Sequence, residues 1–327
     1  TINKSSDYFN TKLYTGNGSD QAITGVGFQP DWVWLKGRSF TDNHVVVDAV
    51  RGTNEYLHPD TTQQEYTSSP PNESVKAFGS DGFTLGGWSA INRNTESHVS
   101  WNWKANGQGS SNTDGSINTT YTSANTTSGF SISTYAGTGS AATVGHGLGA
   151  VPKMIIVKNL SASGDWMVYH QSIGNDHRLI FNTTSAKQDN PVWNDTTPTS
   201  SVWSMNDNGD ANGSGSNYVA YCFAEKKGFS KFGSYTGNGN ADGSFIYTGF
   251  KPAFVIIKES NGTNSWQMWD NKRPGYNLTD KYLQPNTTSA EISGNNQIDI
   301  LSTGIKLRSS NTANNGNGQS FIYMAFA

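Results

Sequence analysis

The chain has 327 residues, of which 34% are hydrophobic, 14% charged and 12% aromatic, with a formal net charge of −3. Length allows two or three domains, and the charge balance gives no electrostatic basis for nucleic acid, which needs clustered Lys and Arg. No stretch approaches the roughly 20 apolar residues of a membrane helix, so membrane insertion is not expected.

Low charge with abundant Gly, Asn, Ser, Thr and rings suits a β-rich protein with uncharged loops and small aromatic cores. Cys222 is the only cysteine, so neither an internal disulfide nor a thiolate metal cage is available. Between Tyr221 and Phe223 it reads as a buried, inert thiol. Thr1 opens into polar sequence, where no signal peptide is legible.

Residues 1–11 read as an arm, whose rings Tyr8 and Phe9 predict packing on a neighbour. The next unit, 12–106, opens on the turn Tyr14-Thr15-Gly16-Asn17-Gly18. Pro30 then precedes Trp32-Val33-Trp34-Leu35-Lys36, a run that does not alternate and therefore predicts a strand buried on both faces. A second short run, His44-Val45-Val46-Val47-Asp48, follows, then Leu57 and the turn Asp60-Thr61-Thr62. Asp81-Gly82-Phe83-Thr84-Leu85 predicts a hairpin, and Val99-Ser100-Trp101-Asn102-Trp103 closes the unit. Residues 107–127 are nearly all Gly, Ser, Asn and Thr, with only Ile117 and Tyr121 to pack. They read as a linker or a loosely attached strand pair.

The same order returns twice. Residues 128–227 carry Tyr135-Ala136-Gly137-Thr138-Gly139, Pro152 with Met154-Ile155-Ile156-Val157-Lys158, Trp166-Met167-Val168-Tyr169-His170, Leu179 with Asn182-Thr183-Thr184, and Val219-Ala220-Tyr221-Cys222-Phe223. Residues 228–327 carry Tyr235-Thr236-Gly237-Asn238-Gly239, Pro252 with Phe254-Val255-Ile256-Ile257-Lys258, Trp266-Gln267-Met268-Trp269-Asp270, Leu283 with Asn286-Thr287-Thr288, and Ile322-Tyr323-Met324-Ala325-Phe326. Pro30, Pro152 and Pro252 stand 122 (152 − 30) and 100 (252 − 152) positions apart, a period of domain size rather than that of a solenoid. Helical periodicity is nearly absent. The expected fold is all-β: three tandem β-sandwich or jelly-roll domains of about 100 residues laid end to end. The second and third, joined by Lys226 through Phe232, should be rigidly coupled, and the first free to pivot.

Chemistry is sparse. None of the six histidines keeps its register between copies. Asp48 with Arg51, and Asp270 with Arg273, predict turn-fixing salt bridges, since an Asp–Arg pair holds its acid ionised rather than poised for acid catalysis. Residues 206–213 resemble a calcium loop until its last ligand position falls on Val219 instead of a bidentate Glu, so an ordinary Asn/Gly hairpin loop is expected. No nucleophile stands beside a base, and neither a cofactor nor a metal is called for; the chain reads as no enzyme. Trp88, Trp193 and Trp203 lie outside the strand pattern and are candidate rings for stacking on sugars, or covers for the ends of a thin sandwich. Sequons at Asn17, Asn72, Asn118, Asn182, Asn277 and Asn286 matter only in a glycosylating source.

Longer strings add a resemblance. Asp7 through Gly18, Gly25 through Asp31, Trp101-Asn102-Trp103-Lys104-Ala105, Val144 through Gly149, Tyr221-Cys222-Phe223-Ala224-Glu225 and Lys231 through Gly239 resemble repeated domains in the tandem-repeat, tail-fibre-like structural proteins of tailed, especially marine, bacteriophages. The resemblance implies a virion component with concanavalin A-like sandwich repeats. The expected role is structural and adhesive: self-association into an oligomer or fibre, with polar loops offered to host surface glycans. The alternatives are a self-assembling extracellular fibre subunit of a cell and a polysaccharide depolymerase, the latter needing two carboxylates in one groove.

Overall fold

The structure, a computed structural model, describes residues 2–68 and 73–327 and is an all-β sandwich fold. Each repeat contributes an antiparallel inner sheet with its first strand against its last. In the first repeat the order is Phe9–Thr15, Ser97–Trp103, Trp32–Gly37, Val45–Asp48. The second has Phe130–Ala136, Asn217–Ala224, Pro152–Asn159, Met167–His170, and the third Ser230–Thr236, Ser320–Phe326, Phe254–Glu259, Gln267–Asp270. Register is shared as well as order. Trp32 lies between Asp48 and Trp103, Met154 between His170 and Phe223, and Phe254 between Asp270 and Phe326.

Alternate side chains of these sheets leave by opposite faces, and both faces are covered. Val33 and Leu35, Ile155 and Val157, Val255 and Ile257 each enter a core private to their own repeat. Trp32 and Trp34, Met154 and Ile156, Phe254 and Ile256 instead enter one core common to all three. There the equivalent closing-strand rings converge, with Phe326 6.0 Å from Phe223 and 5.8 Å from Trp103.

This common core corrects the expectation of sandwiches laid end to end with a pivoting first member. A run buried on both faces needs two covers, and the second is supplied by the other repeats. Trp32, Trp34, Trp101 and Trp103 of the first repeat all face it. At ~25 cal/mol/Å² a ring of ~150–250 Å² is worth about 4–6 kcal/mol. Uncovering even part of this face therefore rivals the ~5–15 kcal/mol net stability of a whole domain.

Two further corrections concern the boundaries. The arm already contains the start of the first strand: Phe9 is buried in the common core, 5.5 Å from both Phe254 and Phe326. The stretch read as a linker or a loosely attached strand pair carries the strand Tyr121–Asn125, which pairs firmly with Phe130–Ala136, while Ile117 bridges to Val144 and packs in the second repeat's private core.

The private cores are closed by small outer sheets. The expected hairpin is Val75–Gly79 against Gly82–Leu85, and Gly304–Leu307 and Val202–Met205 occupy the matching places. A one-turn helix follows each: Ser89–Asn92, Gly209–Asn212 and Thr312–Asn315. Tyr14, Tyr135 and Tyr235 donate their hydroxyls to carbonyls of these turns, those of Ile91, Ala211 and Asn314. The glycine two residues after each tyrosine is sterically required. A Cβ on Gly16, Gly137 or Gly237 would lie 2.2–2.4 Å from the carbonyl oxygen of Arg93, Gly213 or Gly316.

Candidate functional site

The lysine that closes each apolar run is fully buried, and its ammonium crosses a seam between repeats. Lys36 Nζ donates to Thr288 O, Lys158 Nζ to Thr62 O and Lys258 Nζ to Thr184 O, each at 3.2 Å. The order is cyclic: first to third, second to first, third to second. Each also binds a carbonyl of its own repeat, Gly37, Gly164 or Gly262, at 2.9–3.1 Å. Among the described residues no carboxylate lies within 4 Å of any of the three. Burial pushes each down to about 8. Backbone carbonyls make the direct contacts, with carboxylates farther off (Asp42 and Asp60, Asp165 and Asp210, Glu259) adding support for the charge, so each ammonium holds the facing Thr-Thr turn in place.

The same seams carry a second cyclic set. The Trp166 and Trp266 indoles donate to His58 O and Ile180 O of the preceding repeat, at 3.1 and 3.2 Å. His44 takes their place in the first repeat. Its Nδ1 accepts from Trp34 Nε1 at 3.0 Å, and its ring approaches the Gln284 carbonyl without a hydrogen bond of normal geometry. Burial drives its pKa well down, so the imidazole is neutral. The backbone N–H groups of Trp166 and Trp266 are received by Asn182 and Asn286, and that of His44 by Asp60. Asp60 Oδ2 is buried without a partner, and burial pushes this carboxyl up to about 7.

The third set lies at the ends of the third inner strands. Asp48 receives Arg51 Nε at 2.6 Å and the Tyr221 hydroxyl of the second repeat at 2.8 Å. Asp270 receives Arg273 Nε at 2.6 Å and the Trp101 indole of the first repeat at 3.0 Å. Both salt bridges fix turns as expected, with the other oxygen accepting the N–H groups two and three residues on. They also reach across to a neighbouring repeat, which the sequence did not reveal.

The predicted binding rings do not form a site. Trp193 and Trp203 are each 1% exposed and meet edge to face at 6.0 Å inside the second repeat's private core. They cover that core, so neither offers a face to a sugar. Trp88 is half-buried, its ring tilted against Tyr56 at 4.6 Å in a cluster with His58 and Tyr66, remote in sequence from the other two. Nor is residues 206–213 a hairpin loop: Asn208 caps the one-turn helix Gly209–Asn212.

Asn212 is fully buried and donates to the carbonyls of Ser140 and Asn206 while accepting from Thr138 N–H. Asn92 and Asn315 repeat the arrangement. Of the sequons, Asn286 is 9% exposed and hydrogen-bonded on both amide atoms, and Asn182 gives its amide to Asp165. Asn17, Asn118 and Asn277 are exposed, and Asn72 lies outside the described residues. Cys222 is buried and its thiol raised by burial, as its neighbours predict.

Among the described residues no group of three or more His, Cys, Asp and Glu side chains is placed to hold a metal ion. Two clefts, one within the third repeat and one between the third and the first, are lined by lysines, amides and hydroxyls without a carboxylate. Two others contain a single acid each, Glu65 or Glu225. The pair of facing carboxylates that glycoside hydrolysis needs is present in none of these four.

Comparison with curated proteins gives no match. A family model described as a domain of unknown function, DUF7483, matches residues 4–327, a span that takes in all three repeats and their shared core. The chain belongs to the DUF7483 family.

Proposed function

We propose that this chain is a structural and adhesive building block, a component of a virion tail or surface fibre that presents polar loops to host glycans. One observation carries the reading. The chemically capable side chains that recur between the repeats (Lys36, Lys158 and Lys258, and Asp48, His170 and Asp270) are all spent on holding repeats together. A repeated plan whose reactive groups are consumed in its seams serves as a rigid mount, and the loops that differ between copies carry recognition. The family resemblance in the sequence supplies the virion setting.

The test is a glycan array carrying neutral and acidic saccharides, probed with the whole chain and paired with negative-stain images. Discrete particles and saturable binding to a subset of glycans are expected. Unbranched filaments of the purified chain would favour the cellular fibre subunit, and binding to nothing on the array would end the adhesive reading.

A further inference from the structure

The two carboxylate-free clefts adjoin at Lys272, the first within the third repeat and the second between the third and the first, and are taken together as one groove. One half, about 280 Å³, is lined by Lys251, Asn271, Lys272, Tyr276, Asn277 and Thr279 among others. The other half, about 290 Å³, is lined by Asn10, Thr11, Lys12, Leu13, Gly25 and Lys272. No described carboxylate forms an ion pair with Lys12, Lys251 or Lys272. Asp81, whose charge Lys12 feels, gives both oxygens to the N–H groups of Gly25 and Gly27 at 2.8 Å. Three ammonium groups without an ion-pair partner, of which only Lys12 stands near a carboxylate, that of Asp81, give the groove a local cationic field on a chain of net charge −3.

Other features of the groove point the same way. Thr11 is 3% exposed, and its hydroxyl has no hydrogen-bond partner; Asn271 Oδ1 is likewise unmet. Buried polar atoms without partners are uncommon and cost stability unless something satisfies them. Tyr276 presents its ring at 76% exposure from a loop pinned at both ends. Arg273 ties one end to Asp270, and Asn277 ties the other by exchanging two hydrogen bonds with the Ile300 backbone. At the places of Lys272 and Arg273 the first repeat has Val50 and Arg51 and the second Ser172 and Ile173. The groove is thus not a by-product of the shared plan.

We infer that this groove is a binding site for an acidic polysaccharide of the uronate class. The sugar carboxylates meet Lys12, Lys251 and Lys272, a pyranose face stacks on Tyr276, and a side-chain shift on binding opens Thr11 Oγ1 and Asn271 Oδ1, both closed to solvent here, to sugar hydroxyls. A single exposed ring and no arginine in the lining fit a sugar chain better than stacked nucleobases. The inference rests on the adhesive reading and narrows it to one ligand class and one place.

The test is titration calorimetry of the whole chain with oligogalacturonate, with a neutral maltooligosaccharide and oligo(dT) as comparisons. Oligogalacturonate should bind saturably and weaken as salt rises. K272E should reduce affinity at least tenfold and Y276A at least fivefold, with thermal melting unchanged. K227E, the same charge change at the exposed Lys227 elsewhere on the surface, should alter affinity less than twofold. Equal binding of oligo(dT), undiminished binding by K272E, or no uronate binding overturns the inference. If uronate fails while a neutral glycan on the array binds, the adhesive reading survives without this groove; if every glycan fails, both fall.

Discussion

His170 Nε2 lies 3.2 Å from the Tyr323 carbonyl, across the seam between the second and third repeats. Its Nδ1 accepts the Ser172 N–H, so the proton sits on Nε2 and is donated across the seam. The other two seams place an aspartate here, Asp48 or Asp270, facing Tyr221 or Trp101. The residue in register with Tyr221 and Trp101 is Met324, which has no hydrogen to give. An aspartate would lose its cross-seam donor, and with Ile173 in the arginine's place it would also lose its salt bridge. A neutral imidazole that donates to a backbone carbonyl solves both problems.

His170→Asp should therefore cost about 3 kcal/mol, in the range for an uncompensated buried charge. Adding I173R and M324Y, which imports the first seam's arginine and tyrosine, should restore more than half. Urea unfolding of the wild type, the single variant and the triple variant measures this. A triple variant no better than H170D would mean the seam residues are not matched sets.

The buried lysines set a pH dependence with a definite sign. Their folded pKa of about 8 lies below the usual lysine value, so between about 8 and 10.4 the unfolded chain holds more protons. Stability should rise with pH through that window, each unit of depression being about 1.4 kcal/mol per lysine. Thermal melting from pH 7.5 to 9.5 should move upward, and in K36M/K158M/K258M the slope should flatten. Higher pH is uninformative, since burial holds Tyr14, Tyr135 and Tyr235 protonated in the fold while unfolded phenols ionise near 10. A melting temperature that falls between pH 8 and 9.5 contradicts the assignment.

Asp60 occupies a place filled by Asn182 and Asn286 in the other repeats. With its folded pKa raised to about 7, it loses stability as pH climbs from about 4 to 7. Asp60→Asn keeps the acceptor for His44 N–H and removes the ionisation. At pH 8 the variant should be more stable by about 1–2 kcal/mol, a discounted share of the pKa difference. The gain should shrink at pH 5 and disappear by about pH 4, and a variant equally stabilised at pH 8 and pH 4 would point to some other cause.

The common core makes the repeats interdependent. A fragment of residues 1–106 exposes the Trp32, Trp34, Trp101 and Trp103 face, so it should aggregate or bind the dye ANS strongly, as loosely packed states do. Mixed during refolding with residues 107–327, it should recover a cooperative melt. A fragment that alone gives a sharp melt and dispersed amide resonances would show that the first repeat stands by itself.

The strands were legible because their signals are local. Non-alternating Trp32–Leu35 announced two buried faces, and Gly82 marked the hairpin turn. What covers the second face was not legible, because Phe223 and Phe326 come together with Trp103 only through contacts far apart in sequence. The lysine ending each run was visible in all three copies, but the carbonyls it serves belong to other repeats. Asn92, Asn212 and Asn315 each close a one-turn helix, yet one asparagine carries little information in a chain this rich in them. Trp193 and Trp203 follow the covering reading rather than the sugar-stacking one: both rings pack inward, Trp203 from an outer strand and Trp193 from a short 3-10 turn, and polar flanks alone do not say which way a ring points.

Joining three similar bodies in one polypeptide has a consequence that separate identical subunits cannot reach. In an assembly of identical chains every amino-acid change appears three times and must be tolerated at three contacts at once. Here a change is made once, so a histidine can stand where its siblings are acidic, and a pair of lysines can gather on one side alone. The tie between the bodies lets a threefold plan carry one distinct front.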